Sequence, residues 1–296
     1  MKLTDHSLYR YAGGKNRMKK DLIQIIRDVN PGITSIVSPF MGGGSTEILL
    51  ASQGVKVQSY DIFRPLADFW EIVTAGGAPG IADEVTKHFP LIDSDHYKSF
   101  LPLLDSEDKF TRAWSFYIAI KGSYSGKIGC STVKSRAEFR IAGIDKLRNF
   151  YNPNLSFAYG SCFDTIPKHE NDFLYLDPPY YETVSHYYGK DGALHKSFDH
   201  EQFCEVLKQH KGGFVMSYDN SEAVQNLYKD ALQKYDNSRE DLWVQCMRNY
   251  IASQVRIIDE SNSQNKLVSI YNNLIENTNS NIVATFNSTG MNLIGN

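Results

Sequence analysis

Four cysteines are all that this 296-residue chain carries: Cys130, Cys162, Cys204 and Cys246. None forms a Cys-x-x-Cys pair or stands beside histidines at metal-ligand spacing, so neither a zinc module nor a disulfide scaffold is expected. Long hydrophobic runs are missing too. No apolar stretch approaches the roughly 20 residues of a membrane span. The opening "MKLTDHSLYRYAGGK" lacks a signal peptide's apolar segment. The expectation is a soluble intracellular protein with no membrane partner, in a bacterial cytoplasm or in the host cell of a virus. An excess of positive charge is also absent, since 31 Lys and Arg face 34 Asp and Glu for a net −3. Any surface for nucleic acid therefore has to be local.

What is present reads as α/β. "TSIVSPF" (34–40) is a buried strand, "STEILLASQ" (45–53) a helix with Ser45 as N-cap, and "VKVQSYD" (55–61) a second strand. Later come "DFLYLD", a helix over about 199–208 capped by Asp199, and a strand in "GGFVMSYD" (212–219). Further strands are expected at "LWVQCMR", "KLVSIYN" and "IVATF", the last inside an Asn- and Ser-rich tail over 274–296. Strands alternating with helices imply a mostly parallel sheet covered on both faces.

Three stretches stand where such a sheet gathers ligands. "FLYLDPPYYE" runs a strand into an acid, two prolines and two tyrosines. Proline fixes φ and cannot donate to a ladder, so the strand stops at about Asp177, and Pro178 and Pro179 hold Tyr180 in a rigid turn. "SPFMGGGSTE" places Gly42, Gly43 and Gly44 before a helix N-terminus, and the next strand ends at Asp61, where ribose hydroxyls lie in doubly wound sheets. The full dinucleotide fingerprint is not met, because Glu47 stands where the third glycine belongs. In "YRYAGGKNR", Tyr11, Gly13, Gly14 and Lys15 supply an aromatic wall, a pliant backbone and a cation, a set suited to a ligand with a carboxylate and an apolar stem.

A local basic surface is also available. From Lys109 to Arg148 nine Lys and Arg oppose only Glu138 and Asp145. Inside it "KGSYSGKIG" has the composition of a mobile loop carrying Tyr124 as an aromatic probe.

The series "YAGGK", "PFMGGGS", "YD" at the second strand end, a variable basic segment and then "DPPY" resembles the Dam-type N6-adenine DNA methyltransferases, over roughly residues 8 to 273. The resemblance implies a Rossmann-like S-adenosylmethionine-dependent fold with a seven-stranded, mostly parallel sheet. It divides the chain into a catalytic domain over 1–75 and 156–273 and an inserted, mainly helical target-recognition domain over 76–155. Carried onto this chain, Tyr11 takes the place of the family's usual tryptophan beside the methionine part of the cofactor, Lys15 is the motif lysine and Asp61 the ribose acid. Phe40, Gly42, Gly44 and Ser45 belong to the cofactor loop, and Cys162 and Phe163 fall where the cofactor's adenine is contacted. Asp177 is shared by cofactor site and chemistry.

The reaction so implied is methylation of an exocyclic amine whose lone pair is delocalised into the ring. A carboxylate and a carbonyl accepting its two N–H bonds would localise that pair, and Asp177 and Pro178 are placed to do so. Tyr180 offers a stacking face to a base flipped out of duplex DNA. Neither a metal nor a covalent enzyme intermediate is needed. Tyr124, Ser125 and Lys127 are candidates to enter the duplex, Lys134, Arg136 and Arg140 to contact phosphates or guanine edges. A cognate restriction endonuclease is a candidate partner. Cytosine-N4 methylation, adenine methylation of RNA, and a non-catalytic DNA-binding relative stay open as alternatives.

Overall fold

Short runs of β-branched and aromatic residues become five strands in a computed structural model that describes residues 2–181, 198–218, 223–224 and 227–228. They are β1 (Ser35–Ser38), β2 (Lys56–Asp61), β3 (Leu155–Tyr159), β4 (Leu174–Leu176) and β5 (Phe214–Met216). All pair in parallel, in the order β3-β2-β1-β4-β5, with Val37 opposite both Gln58 of β2 and Leu174 of β4. The chain thus steps outward from β1 to β3 and then returns to β1's other side. The carboxyl ends of β1 and β4 flank the point where the order reverses, and a crevice opens there in sheets of this kind.

Alternation along the strands sends neighbours to opposite faces. Ile36, Val57, Tyr175 and Val215 enter one apolar cluster, while Val37, Leu174, Leu176, Phe214 and Met216 enter another. The first face is covered by α1 (Lys19–Val29), α2 (Ser45–Ser52) and α3 (Arg64–Ile72), which bury Ile26, Ile48 and Phe69 among others. The second is covered by α10 (His200–Gln209), through Phe203, Cys204 and Leu207. Asp199 caps that helix, accepting from the Gln202 N–H at 2.8 Å.

From 78 to 148 the regular elements are helices: α4 (Ala78–Lys87), α5 (Ser94–Lys98), α6 (Lys109–Lys121), α7 (Val133–Glu138) and α8 (Ile141–Arg148). Val85, Phe116 and Ile144 of this segment lie in the same apolar cluster as Ile36 and Val57 of the sheet. Helices α3 and α6 carry the junction: Phe69 stacks on Tyr117 at 5.6 Å, and Arg112 reaches the fully buried Asp68 at 2.5 Å. A short helix α9 (Cys162–Thr165) follows β3. No helix among the described residues is long and apolar enough to cross a membrane.

Several expectations are corrected. The strands are shorter than read, ending at Ser38 rather than Phe40 and at Met216 rather than Asp219. β3 was not anticipated, because "LSFAY" is short and alternates weakly, with only Leu155 and Phe157 fully inward. Ser45 is not the N-cap of α2. Gly44 is, with φ of 64° in the left-handed region, and Ser45 is the first, buried helical residue. The loop enters the helix too sharply for a side-chain cap, and a Cβ at Gly44 would collide with the Met41 methyl. The described residues hold five strands, all parallel, out of the seven expected. The strands expected in "LWVQCMR", "KLVSIYN" and "IVATF", and the tail, lie outside the described residues.

Asp68 is a direct test of the α3–α6 junction, because truncating it leaves Arg112 largely buried without its carboxylate. Asp68→Ala is expected to cost about 3–5 kcal/mol in denaturant unfolding. A loss below about 1 kcal/mol, the range of an exposed ion pair, would show that the contact does not hold the helices together.

Candidate active site

The loop that leaves β1 is shaped by where its polar groups must go. Gly42, at φ 49°, donates its N–H to Asp61 Oδ2 at 3.0 Å, and its carbonyl accepts from Trp70 Nε1 at 3.0 Å and from the Tyr9 hydroxyl at 3.3 Å. Asp61 Oδ1 accepts from the Phe63 N–H at 2.9 Å, which aims the carboxylate, so that its other oxygen ties the glycine loop to the end of β2. The Tyr11 ring lies directly on this loop. An added Cβ at Gly42 would stand 2.8 Å from its Cε1, and one at Gly43 would stand 2.8 Å from its Cβ.

Lys15 comes from the same N-terminal segment and is buried. Its Nζ donates to the Gly13 carbonyl at 3.0 Å and to both oxygens of Asp177, with the Oδ2 contact at 2.6 Å. It also sits 5.0 Å from the centroid of the Tyr180 ring. The segment before β1 is thereby fixed to the turn after β4.

These pieces line one cavity. Around it stand Tyr11, Lys15, Phe40, Gly42, Gly44, Ser45, Asp61, Cys162, Phe163 and Asp177, with Pro179 from the proline turn. Tyr180 lies alongside through its contact with Lys15, and packs edge-on against Tyr218 at 6.2 Å. Residues not anticipated as site residues are Glu47, Met41, Ser161, Tyr175 and Phe198. Phe198 stacks on Phe163 at 5.7 Å and meets Phe40 at 5.9 Å, making an aromatic wall opposite the glycine loop. Nothing in the sequence around Phe198 announces this, because it lies 21 residues beyond Asp177 and reaches the site only through the fold. Glu47 had a signal, as the acid where a glycine was wanted.

Burial sets the electrostatics of the cavity. It pushes the Asp61 carboxyl up to about 6, against the pull of the Phe63 and Gly42 N–H groups. It pushes Glu47 up to about 7, opposed by that residue's own backbone N–H and by the Ser38 hydroxyl, which donates at 2.7 Å. The Cys162 thiol rises to about 12, also through burial, so it is no thiolate nucleophile near neutrality. No cluster of three metal-ligating side chains occurs among the described residues.

A model of the D12 class N6 adenine-specific DNA methyltransferases matches residues 11–241. The chain belongs to that family. It is therefore an enzyme that methylates adenine N6 in DNA, and the family implies S-adenosylmethionine as methyl donor. A search of curated proteins found no match.

The methyltransferase's anticipated DNA residues sit on the helical side, away from this cavity. Tyr124, Ser125, Lys134 and Arg140 line a second, polar pocket with Arg10 and Lys121. Lys127 and Arg136 do not line it; Lys127 is partly buried, and Arg136 donates to the Ser131 hydroxyl at 3.2 Å. The loop expected to be mobile is tied: Tyr124 N–H donates to the Cys130 carbonyl at 2.6 Å, and Gly129 N–H to the Tyr97 hydroxyl at 3.0 Å. Lys127, a candidate to enter the duplex, is less exposed than Tyr124, which is 54% accessible. At least three of the nine cations in the segment are spent on acids among the described residues: Lys109 on Glu71, Arg112 on Asp68, and Arg148 on Asp83 and Asp145.

The raised Glu47 group gives a pH prediction. A carboxyl whose folded pKa lies above its unfolded one stays protonated in the native state while the unfolded chain ionises. Its contribution to stability is therefore lost as pH rises from about 4.5 to about 7, and is level above that. Glu47→Gln removes this loss, up to about 3 kcal/mol by the ordinary conversion of pKa to free energy. Unfolding free energies of wild type and Glu47→Gln should diverge over that window in favour of the variant; parallel profiles would contradict a protonated, buried Glu47.

Proposed function

We propose that this methyltransferase holds S-adenosylmethionine in the cavity between β1 and β4 and transfers its methyl group to the N6 amine of an adenine turned out of duplex DNA. The observation that carries the reading is the Lys15–Asp177 pair at the mouth of the proline turn, because a carboxylate fixed there serves both cofactor site and amine. The residues fit the cofactor. The glycine cradle under Tyr11 has no room for a Cβ, three carboxylates face a ligand with cationic centres, and the Phe163–Phe198 wall suits a purine.

When bound, S-adenosylmethionine supplies an electrophilic methyl on a sulfonium. In our reading Tyr11 walls its methionine part, and Asp61, which keeps a second lone pair on each oxygen, accepts the ribose hydroxyls. Phe40, Gly44 and Ser45 shape the floor, and Cys162, Phe163 and Phe198 take the adenine.

Asp177 accepts one N–H of the substrate amine and the Pro178 carbonyl accepts the other, which turns the nitrogen lone pair toward the methyl. Lys15 keeps Asp177 aimed, a different task from the ligand-carboxylate partner suggested by sequence. Tyr180 stacks the flipped base, offsetting the few kcal/mol that unstacking it from the duplex costs. The N–C bond would form as the methyl's bond to sulfur breaks, leaving a neutral thioether, and the amine's surplus proton would leave to water past Asp177, whose side chain is partly exposed.

The helical segment over 76–155 is assigned the reading of DNA, with Tyr124 and Ser125 at the duplex, Lys127 beside them, and Lys134, Arg136 and Arg140 on phosphates or base edges. A cognate restriction endonuclease and an intracellular location complete the reading.

Asp177→Ala and Asp177→Asn are both expected to abolish methyl transfer in variants that still melt cooperatively. Turnover above a tenth of wild type, a barrier change of only ~1.4 kcal/mol, would remove Asp177 from the chemistry. Mapping methylated adenines in genomic DNA treated with wild type identifies the target.

For the DNA face, Lys134→Ala and Arg140→Ala should each lower affinity for every duplex and reduce the slope of log affinity against log salt by about one. Tyr124→Ala should weaken binding chiefly on the cognate site. Unchanged affinity and salt slope in all three would place the DNA surface elsewhere.

A further inference from the structure

Three carboxylates line the cavity, and their commitments differ. Both oxygens of Asp61 accept backbone N–H bonds from Gly42 and Phe63. Both oxygens of Asp177 accept from Lys15. Glu47 is 3% exposed, on the first turn of α2 directly after the glycine loop, and its donors among the described residues are the Ser38 hydroxyl and its own backbone N–H, with no cation of those residues bonded to it. An ionisable carboxyl buried without a bonded cation costs several kcal/mol unless it stays protonated or a cation arrives. The amino-acid end of S-adenosylmethionine brings such a cation.

We propose that Glu47 receives the α-ammonium group of the cofactor's methionine part, with Ser38 orienting its carboxylate from the end of β1. This rests on the cofactor assignment above. It assigns a task to a residue that neither the strand-end motifs nor the proline turn contains. The cofactor site then has a division of labour: Asp61 for the ribose, Asp177 for the substrate amine, Glu47 for the ammonium.

The groups facing Glu47 are Lys15 and Asp177 across the cavity, Ser38 below it and the Tyr175 hydroxyl beside them. Tyr175 is held protonated by burial and by the nearby Asp177 and Glu47 charges. Glu47 itself, raised by burial to about 7, carries a proton that ammonium binding should expel.

The test uses S-adenosylhomocysteine, which keeps the ammonium but has no sulfonium, and 5′-methylthioadenosine, which lacks the amino-acid part. Calorimetry at pH 6.5 in two buffers of different ionisation enthalpy measures affinity and protons released together. Wild type should bind S-adenosylhomocysteine with release of a large fraction of a proton. Glu47→Gln should bind it at least tenfold more weakly with no proton released, and should bind 5′-methylthioadenosine as wild type does.

Equal losses for the two compounds would mean that the substitution merely damages the pocket. S-adenosylmethionine is titrated alongside, and a loss confined to it would make Glu47 a partner of the sulfonium instead. Either result overturns the proposal, as does wild-type binding of S-adenosylhomocysteine with no proton release, which needs no variant. Wild type that binds neither compound would sink the cofactor assignment itself.

Discussion

A buried ion pair joins two stretches 162 residues apart, and the active site depends on it. Lys15 is brought in by an N-terminal segment that contributes no strand, yet its ammonium reaches both oxygens of the acid that closes β4. Such pairs add little net stability over an apolar replacement, but either partner left alone inside the protein is strongly unfavourable. Their value lies in uniqueness. The segment carrying Tyr11 can dock in only one place, because only there does Lys15 find its carboxylate. Docking it lays Tyr11 over the glycine loop, and the loop in turn is pinned by Asp61, Trp70 and Tyr9.

The same segment is gripped from its other side. Gly126, at φ 74°, sits so close to Arg10–Ala12 that a Cβ there would lie 2.6 Å from the Arg10 carbonyl. The turn that exposes Tyr124 therefore rests on the strip of chain that carries Tyr11, which rests on Gly42 and Gly43. Contact passes by direct packing from the face assigned to DNA to the floor of the cavity, through three layers of backbone.

Legibility from sequence followed chemical rarity. An acid before two prolines, three glycines in a row and an aromatic followed by Gly-Gly-Lys each interrupt an otherwise ordinary pattern, and all three proved to line one cavity. Their convergence could be read because parallel strands put their carboxyl ends on one side. Residues that obey their local pattern stayed silent. Glu47 stands out in the sequence only as an acid where a third glycine belongs; its helix position in "STEILL" looks solvent-facing, and only the fold reveals that α2 is covered on that side. Phe198 was hidden because it reaches the site only through the fold, and β3 because it is only five residues long. Pairing was equally invisible: the basic segment's charge could be counted, but not that Arg112 is consumed by an acid buried 44 residues away.

That consumption bears on how an acidic protein handles a polyanion. Local charge at the contact matters more than the total, because Coulomb interactions with exposed groups are screened beyond about 10 Å at moderate salt. Here the acids that tip the balance are partly hidden. Asp68 is neutralised by Arg112 and Arg64, Glu47 and Asp61 are raised by burial, and Asp177 is matched by Lys15. Lys134 and Arg140, by contrast, are exposed beside Tyr124. Three acids thus line the cavity and one the α3–α6 junction, while Lys134 and Arg140 face outward, so the net −3 of the chain describes neither place.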